Sequence, residues 1–169
     1  MDGVKEMMKT QETNTQRGAT DKRIALFAGS FDPFTIGHKS IVDRALPLFD
    51  KIVIGLGVNT AKSPWMPLEE RMEHIRKLYR DDPRVEVCRF AGLATEFARE
   101  KGARFLLRGV RSVADFEYER NMADANRMIT QYDPIETVFI PALPGLGAVS
   151  SSLVRELARF DAPWRHLIP

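Results

Sequence analysis

The chain has 169 residues, about one domain at roughly 150 residues each, with 44% hydrophobic and 28% charged residues, as in ordinary globular proteins. A net charge of +2 offers no basic surplus for a nucleic-acid footprint, and a single cysteine, Cys88, excludes an internal disulfide framework or a CxxC zinc site. Apolar runs such as 52–58 fall far short of the roughly 20 residues of a membrane span, so we expect no nucleic-acid or membrane partner and, with so little cysteine, a cytoplasmic protein.

Residues 1–22 carry Gln11, Thr13, Asn14, Thr15 and Gln16 among apolar residues without a period, and we expect a disordered tail there. No apolar stretch of a signal peptide's length, about 7 to 15 residues, occurs in it. The folding domain is therefore 23–169. Residues 24–28 form a short apolar run ended by Gly29, which suits a strand covered on both faces. Ile41, Val42, Ala45, Leu46 and Phe49 recur at helical spacing and predict a helix over about 38–49. A second buried strand follows at 52–58. Leu68, Met72, Ile75 and Leu78 mark a second helix, with Pro67 at its first turn and Asp81-Asp82-Pro83 as its stop.

Residues 85–90 alternate as a third strand, and 93–101 form a short helix ended by Gly102. A fourth strand is expected at 105–107. Ser112 then caps a long helix, with Asp115 at the capping-box position and an apolar stripe of Val113, Phe116, Met122, Ala125 and Ile129. A fifth strand at 137–140 and a helix at 151–160 complete the pattern. Strands alternating with helices imply right-handed crossovers and a parallel sheet. The fold class is α/β: a single Rossmann-like doubly wound domain, five parallel strands with helices on both faces. Such sheets bind ligands at the carboxyl ends of their strands.

Three segments after strands could carry chemistry. Gly29-Ser30-Phe31-Asp32-Pro33-Phe34-Thr35-Ile36-Gly37-His38 runs from the first strand into a helix start, where free N–H groups and the dipole favour an anion. A lone histidine there is most often a cap; with Ser30, Asp32, Pro33 and Gly37 beside it, a phosphate site is the better reading. Arg108-Gly109-Val110-Arg111 follows the fourth strand, and arginine's planar fork suits phosphate oxygens. Val149-Ser150-Ser151-Ser152 opens the last helix, a second anion cradle or a plain serine cap. The chain has no GxxxxGK[ST], no complete dinucleotide fingerprint, no HExxH and no GxSxG, and His38, His74 and His166 lack metal-ligand spacing, so we name no metal ligand.

Ser30-Phe31-Asp32-Pro33 followed by Thr35-Ile36-Gly37-His38 resembles the (T/H)xGH signature of the nucleotidyltransferase superfamily. Lys62 before Pro64, Leu68-Glu69-Glu70-Arg71, the stretch 107–119 (LRGVRSVADFEYE) and Val149-Ser150-Ser151-Ser152 narrow the resemblance to its phosphopantetheine adenylyltransferase family, from Arg23 to Pro169. The resemblance implies transfer of AMP from ATP to 4′-phosphopantetheine, giving dephospho-CoA and pyrophosphate in coenzyme A synthesis. It implies catalytic roles for His38, Lys62 and Arg108, and substrate contacts from Ser30, Lys62, Ala94 and Arg108. ATP contacts are implied for Ser30, Phe31, His38, Gly109, Val110, Arg111, Glu119, Leu146, Gly147, Ala148, Val149, Ser150, Ser151 and Ser152.

Mg²⁺ is expected with the ATP, held by substrate oxygens. The family also implies a homohexamer and feedback by coenzyme A. Departures are visible: 144–148 lacks the aromatic Trp-x-Phe that many members carry, Ser30 replaces a common threonine, and Ala94 a larger apolar residue. Many members also continue past the position of Pro169 into another helix. Two rivals are a nicotinamide or nicotinate mononucleotide adenylyltransferase, which shares the His38 site, and a non-catalytic nucleotide-binding module on the same fold.

Overall fold

The computed structural model describes residues 22–58, 63–130 and 133–169. The tail expected over 1–22 lies outside the described residues except for Lys22, and Lys62 lies outside them as well. Among the described residues the strands are β1 (Ile24–Gly29), β2 (Lys51–Gly57), β3 (Val85–Phe90), β4 (Phe105–Val110) and β5 (Glu136–Pro141). The helices are α1 (Ile36–Ala45), α2 (Leu68–Leu78), α3 (Ala94–Glu100), α4 (Val113–Ile129) and α5 (Ser151–Arg159), before a 3-10 turn at Arg165–Leu167. All strand pairs are parallel, in the order β3-β2-β1-β4-β5. The order reverses between β1 and β4, so the crevice at their carboxyl ends is the place where such a sheet takes a ligand.

Strand composition explains the layering. Leu26, Ile52, Val53, Ile54 and Leu56 have no solvent exposure, as expected of strands covered on both sides. On one face Ala25, Phe27, Ile52 and Ile54 pack with Ile41, Val42 and Ala45 of α1 and Met72 and Ile75 of α2. On the other, Leu26, Val53 and Leu106 pack with Phe97 and Ala98 of α3. A third cluster joins Val149 and Val154 of the α5 region to Ile36 at the head of α1 and to Leu167 and Trp164. No described helix is long and apolar enough to cross a membrane.

Three expectations are corrected. The first helix starts at Ile36 with Thr35 as N-cap and stops at Ala45. Pro47 has no N–H for the carbonyl of Asp43, so the helix cannot continue; Leu46 and Phe49 stay in the core through a turn. The fourth strand runs to Val110, because Arg108, Gly109 and Val110 pair with Phe139, Ile140 and Pro141. Arg108 and Gly109 are therefore rungs of the sheet, and only Arg111 follows it.

The stripe of the long helix is not buried. Val113 is 78% exposed, Ile129 56% and Met122 44%, and Ala125 is exposed too. Phe116 alone of the five meets a sheet ring, edge-on to Phe139 at 5.4 Å. The one buried residue of α4 is the charged Glu119. The period identified a helix, but not which face would meet the sheet.

Candidate active site

The site is built around a capped helix. Thr35 and His38 form a reciprocal capping box: His38 N–H donates to Thr35 Oγ1 at 3.4 Å, and Thr35 N–H donates to His38 Nδ1 at 3.0 Å. Nδ1 accepts that amide proton, so the neutral ring carries its own proton on Nε2. The ring lies edge-on to Phe31 at 5.1 Å and stacks on Phe34 at 5.5 Å. Burial among these rings, and secondarily the charge of Arg111, lowers the His38 pKa to about 4. At neutral pH His38 is thus an uncharged donor with a fixed orientation. The capping histidine is also a residue of the cavity wall.

Arg108 extends from β4 and is held on three sides. Its Nε and Nη2 donate to the two oxygens of Glu119, each at 2.6 Å, and Nη1 donates to the carbonyl of Ala28 at 2.9 Å. Gly109, next along the strand, lets β4 approach α1: a Cβ there would stand 3.0 Å from Ile41 Cγ1. Asp115 accepts from the Arg111 backbone N–H at 3.0 Å and faces its Nε at 3.5 Å. The expected capping box is half present, since Ser112 Oγ accepts from Asp115 N–H while the Asp115 carboxylate turns to Arg111.

The head of α5 closes the other side, and each of its serines is engaged. Ser150 Oγ caps the helix by accepting from Leu153 N–H, Ser151 Oγ donates to the Pro33 carbonyl at 2.8 Å, and Ser152 Oγ accepts from Arg155. Arg155 Nη1 also donates to the Asp32 carbonyl at 2.7 Å, so α5 is strapped twice to the β1–α1 loop. Asp32 is a hub. Its buried carboxylate accepts from the Trp65 and Met66 N–H groups, both at 2.8 Å, while buried Arg71 donates to the neighbouring Ser30 carbonyl.

A cavity of about 350 Å³ opens between these elements. Of the residues singled out from the sequence, Ser30, Phe31, His38, Arg108, Gly109, Val110, Arg111, Glu119, Leu146, Val149, Ser150, Ser151 and Ser152 line it. Gly147 and Ala148 adjoin it in the same loop without lining it, and Ala94 heads α3 away from it. Sequence reasoning missed Asp115 and Arg155 in the wall and Asp32 as an anchor. Asp32 stood inside the quoted motif, which was a signal; Arg155, one turn into α5, had none. The wall carries three arginines against two carboxylates, suiting a polyanion. Among the described residues no group of three or more His, Cys, Asp or Glu could hold a metal ion.

The cytidylyltransferase-like family profile matches residues 26–157. A phosphopantetheine adenylyltransferase of Phocaeicola vulgatus is 51% identical over 147 residues, covering 87% of this chain and 95% of that protein. That of Bacteroides thetaiotaomicron is 46% identical with the same coverage, and that of a Picosynechococcus species 44% identical over 146 residues, covering 86% and 81%. Two solved structures share the fold. A bifunctional NMN adenylyltransferase/ADP ribose pyrophosphatase from Francisella tularensis superposes with a TM-score of 0.60 at 14% identity, covering 87% of this chain and 45% of that one. A NadR protein in complex with NAD and AMP-PNP gives 0.55 at 16%, covering 86% and 44%. This chain thus spans less than half the length of either structure. With 46–51% identity over 87% of its length to these Phocaeicola and Bacteroides relatives, the chain belongs to the phosphopantetheine adenylyltransferase family of cytidylyltransferase-like nucleotidyltransferases.

Proposed function

We propose that the pocket transfers an adenylyl group by positioning and hydrogen-bond donation, with no protein acid or base taking part. The reaction is that of the family: AMP passes from ATP to 4′-phosphopantetheine, giving dephospho-CoA and pyrophosphate. A phosphate monoester has its second pKa near 6, so the nucleophile is already largely ionised at neutral pH. Pyrophosphate leaves as an anion. What remains is to align the reactants and to offset charge on the α-phosphoryl oxygens in a roughly in-line displacement.

The observation that carries this reading is the neutral His38, locked by Thr35 so that Nε2–H is its only free donor. A histidine held near pKa 4 is a poor proton store at pH 7 but a good preorganised donor, and His38 stabilises the α-phosphoryl group in the transition state. Arg108, Lys62 and Ser30 take the attacking phosphate, with Ala94 toward the pantetheine arm. Arg111, the Gly109-Val110 backbone and Ser150 to Ser152 take the ATP phosphates, with Phe31, Glu119 and residues 146–149 around the nucleotide. Mg²⁺ arrives as MgATP, part of the substrate. Asp115 and Glu119 are already engaged with Arg111 and Arg108, which supports substrate oxygens as its ligands. The exposed apolar side chains of α4 support self-association, which we read as a homohexamer, and the enzyme works in the cytoplasm under feedback by coenzyme A.

The test is pyrophosphate release from MgATP with 4′-phosphopantetheine or nicotinamide mononucleotide as acceptor, for wild type and His38→Ala. Turnover with phosphopantetheine alone is expected. His38→Ala should lower kcat roughly 10²- to 10³-fold, the cost of one preorganised donor, with a smaller change in KM for ATP. Equal losses in ATP binding and rate would remove the transition-state role, and turnover with the mononucleotide alone would change the substrate.

A further inference from the structure

We propose that Arg71 is a positioning residue for the nucleotide: from beneath the β1–α1 loop it holds the Ser30–Phe31 peptide so that the Phe31 N–H is presented to a phosphate of ATP. The inference rests on the reading of the pocket as an ATP site. Arg71 belongs to α2, is 7% exposed and is not among the residues that line the cavity. Its Nη1 donates to the Ser30 carbonyl. Its Nε meets no acceptor among the described residues and stands 4.0 Å from Asp32 Oδ1, a carboxylate already engaged by the Trp65 and Met66 N–H groups. Burying a charge costs solvation that a pairing at 4.0 Å repays poorly, so stability is a weak reason for an arginine here. The backbone group that it grips belongs to the loop lining the pocket.

That peptide precedes a strained residue. Phe31 has a φ of +45°, left-handed backbone that a bulky side chain rarely adopts. Such a conformation persists where its surroundings over-determine it. The Phe31 ring is fixed at 5.1 Å from Phe27, 5.4 Å from Phe34 and 5.1 Å from His38. Gly29 leaves the ring its space, since a Cβ there would stand 3.0 Å from two ring atoms. Ring packing fixes the side chain but not the direction of the peptide before it, and Arg71 supplies that direction. The C=O and N–H of a trans peptide point opposite ways, so a carbonyl drawn to Arg71 turns the Phe31 N–H away from α2. Ser30 and Phe31 line the cavity and Arg71 does not, which puts that N–H on the cavity side. A backbone donor held in this way suits an anionic oxygen.

The experiment measures binding of MgATP and of adenosine by calorimetry, without acceptor, for wild type, Arg71→Met and Arg71→Lys. Methionine keeps an unbranched arm and removes the donors, whereas lysine keeps the charge and can still donate to the carbonyl. Arg71→Met should weaken ATP roughly ten- to a hundredfold, the range for losing a hydrogen bond to a charged group, and leave the Kd for adenosine within about twofold of wild type. Adenosine has no phosphate, so a purely structural role would weaken both ligands alike. Arg71→Lys should bind ATP with a Kd between those of wild type and Arg71→Met. Equal losses for ATP and adenosine, or unchanged ATP binding, would each overturn the proposal. If Arg71→Met fails to fold, Arg71→Lys is read by the same criteria: a loss confined to ATP supports the proposal, and equal losses or none overturn it. Wild-type ATP binding is measured first, and a wild type that binds no ATP overturns the reading of the pocket, and this proposal with it, before any variant is compared.

Discussion

His38 combines two demands on one ring. As N3 of α1 it closes the capping box, and as a pocket residue it keeps Nε2–H as a donor. Its pKa of about 4 lies below the ordinary 6.5, so the unfolded chain takes up a proton between these values and the folded protein does not. His38 therefore leaves stability intact above pH 6.5 and withdraws it as pH falls toward 4, at about 1.4 kcal/mol per unit of pKa difference before solvent screening. The melting temperature of wild type should fall more steeply over that range than that of His38→Gln, which has no ring to protonate. Parallel curves would mean that the ring titrates normally. Thr35 is fully buried, and Thr35→Val should cost about 1 kcal/mol as a lost N-cap in denaturant unfolding. It should also lower kcat beyond what that loss explains, because the imidazole loses a neighbour at 3.0 Å.

At the level of elements, the site depends on loops held by buried polar groups. Asp32→Ala leaves the Trp65 and Met66 N–H groups without their acceptor, at a cost of about 1 to 3 kcal/mol in urea unfolding. A change under about 0.5 kcal/mol would show that water replaces the carboxylate freely. Gly109 has a different task. Gly109→Ala drives a methyl group to 3.0 Å from the Ile41 side chain, so Ile41 and with it α1 must give by a few tenths of an ångström, at about 1 to 3 kcal/mol. Because α1 carries His38, kcat should fall with stability. The early stop of α1 at Ala45, two residues before Pro47, and the extension of β4 to Val110 were both missed by periodicity, since the first follows from one absent N–H and the second from pairing with β5.

Across the whole molecule, α4 is the helix whose packing the single chain leaves unfinished. Val113, Met122, Met128 and Ile129 are all more than 40% exposed, so α4 leaves large apolar side chains uncovered in the protomer. With the homohexamer proposed above, light scattering should give about six times the 19.2 kDa chain mass. Val113→Glu and Ile129→Glu should shift the protein to smaller species without loss of helical content, because neither side chain is buried in the protomer. An unchanged mass for both variants would place the contact elsewhere.

The sequence by itself determined the alternation of strands and helices, the parallel sheet and the positions, at strand ends, of the segments that line the cavity. Those features are local: a strand covered on both faces is an apolar run, and α1, α4 and α5 each start on a capping Thr or Ser next to them in the chain. It also marked most of the residues that line the cavity, because motif residues next to strand ends share the crevice wherever the order of a doubly wound sheet reverses. Tertiary structure alone decided what each polar group binds. Asp32 reaches Trp65 across 33 positions, Arg108 reaches Ala28 across 80, and Arg155 reaches Asp32 across 123. No period or spacing encodes such pairs, since they arise only when the completed sheet sets the distances among side chains that must satisfy one another away from water. The same reason put Glu119 beside Phe116 against the sheet while the rest of the α4 stripe stays exposed: the buried carboxylate meets the arginine fork that the end of β4 presents to it.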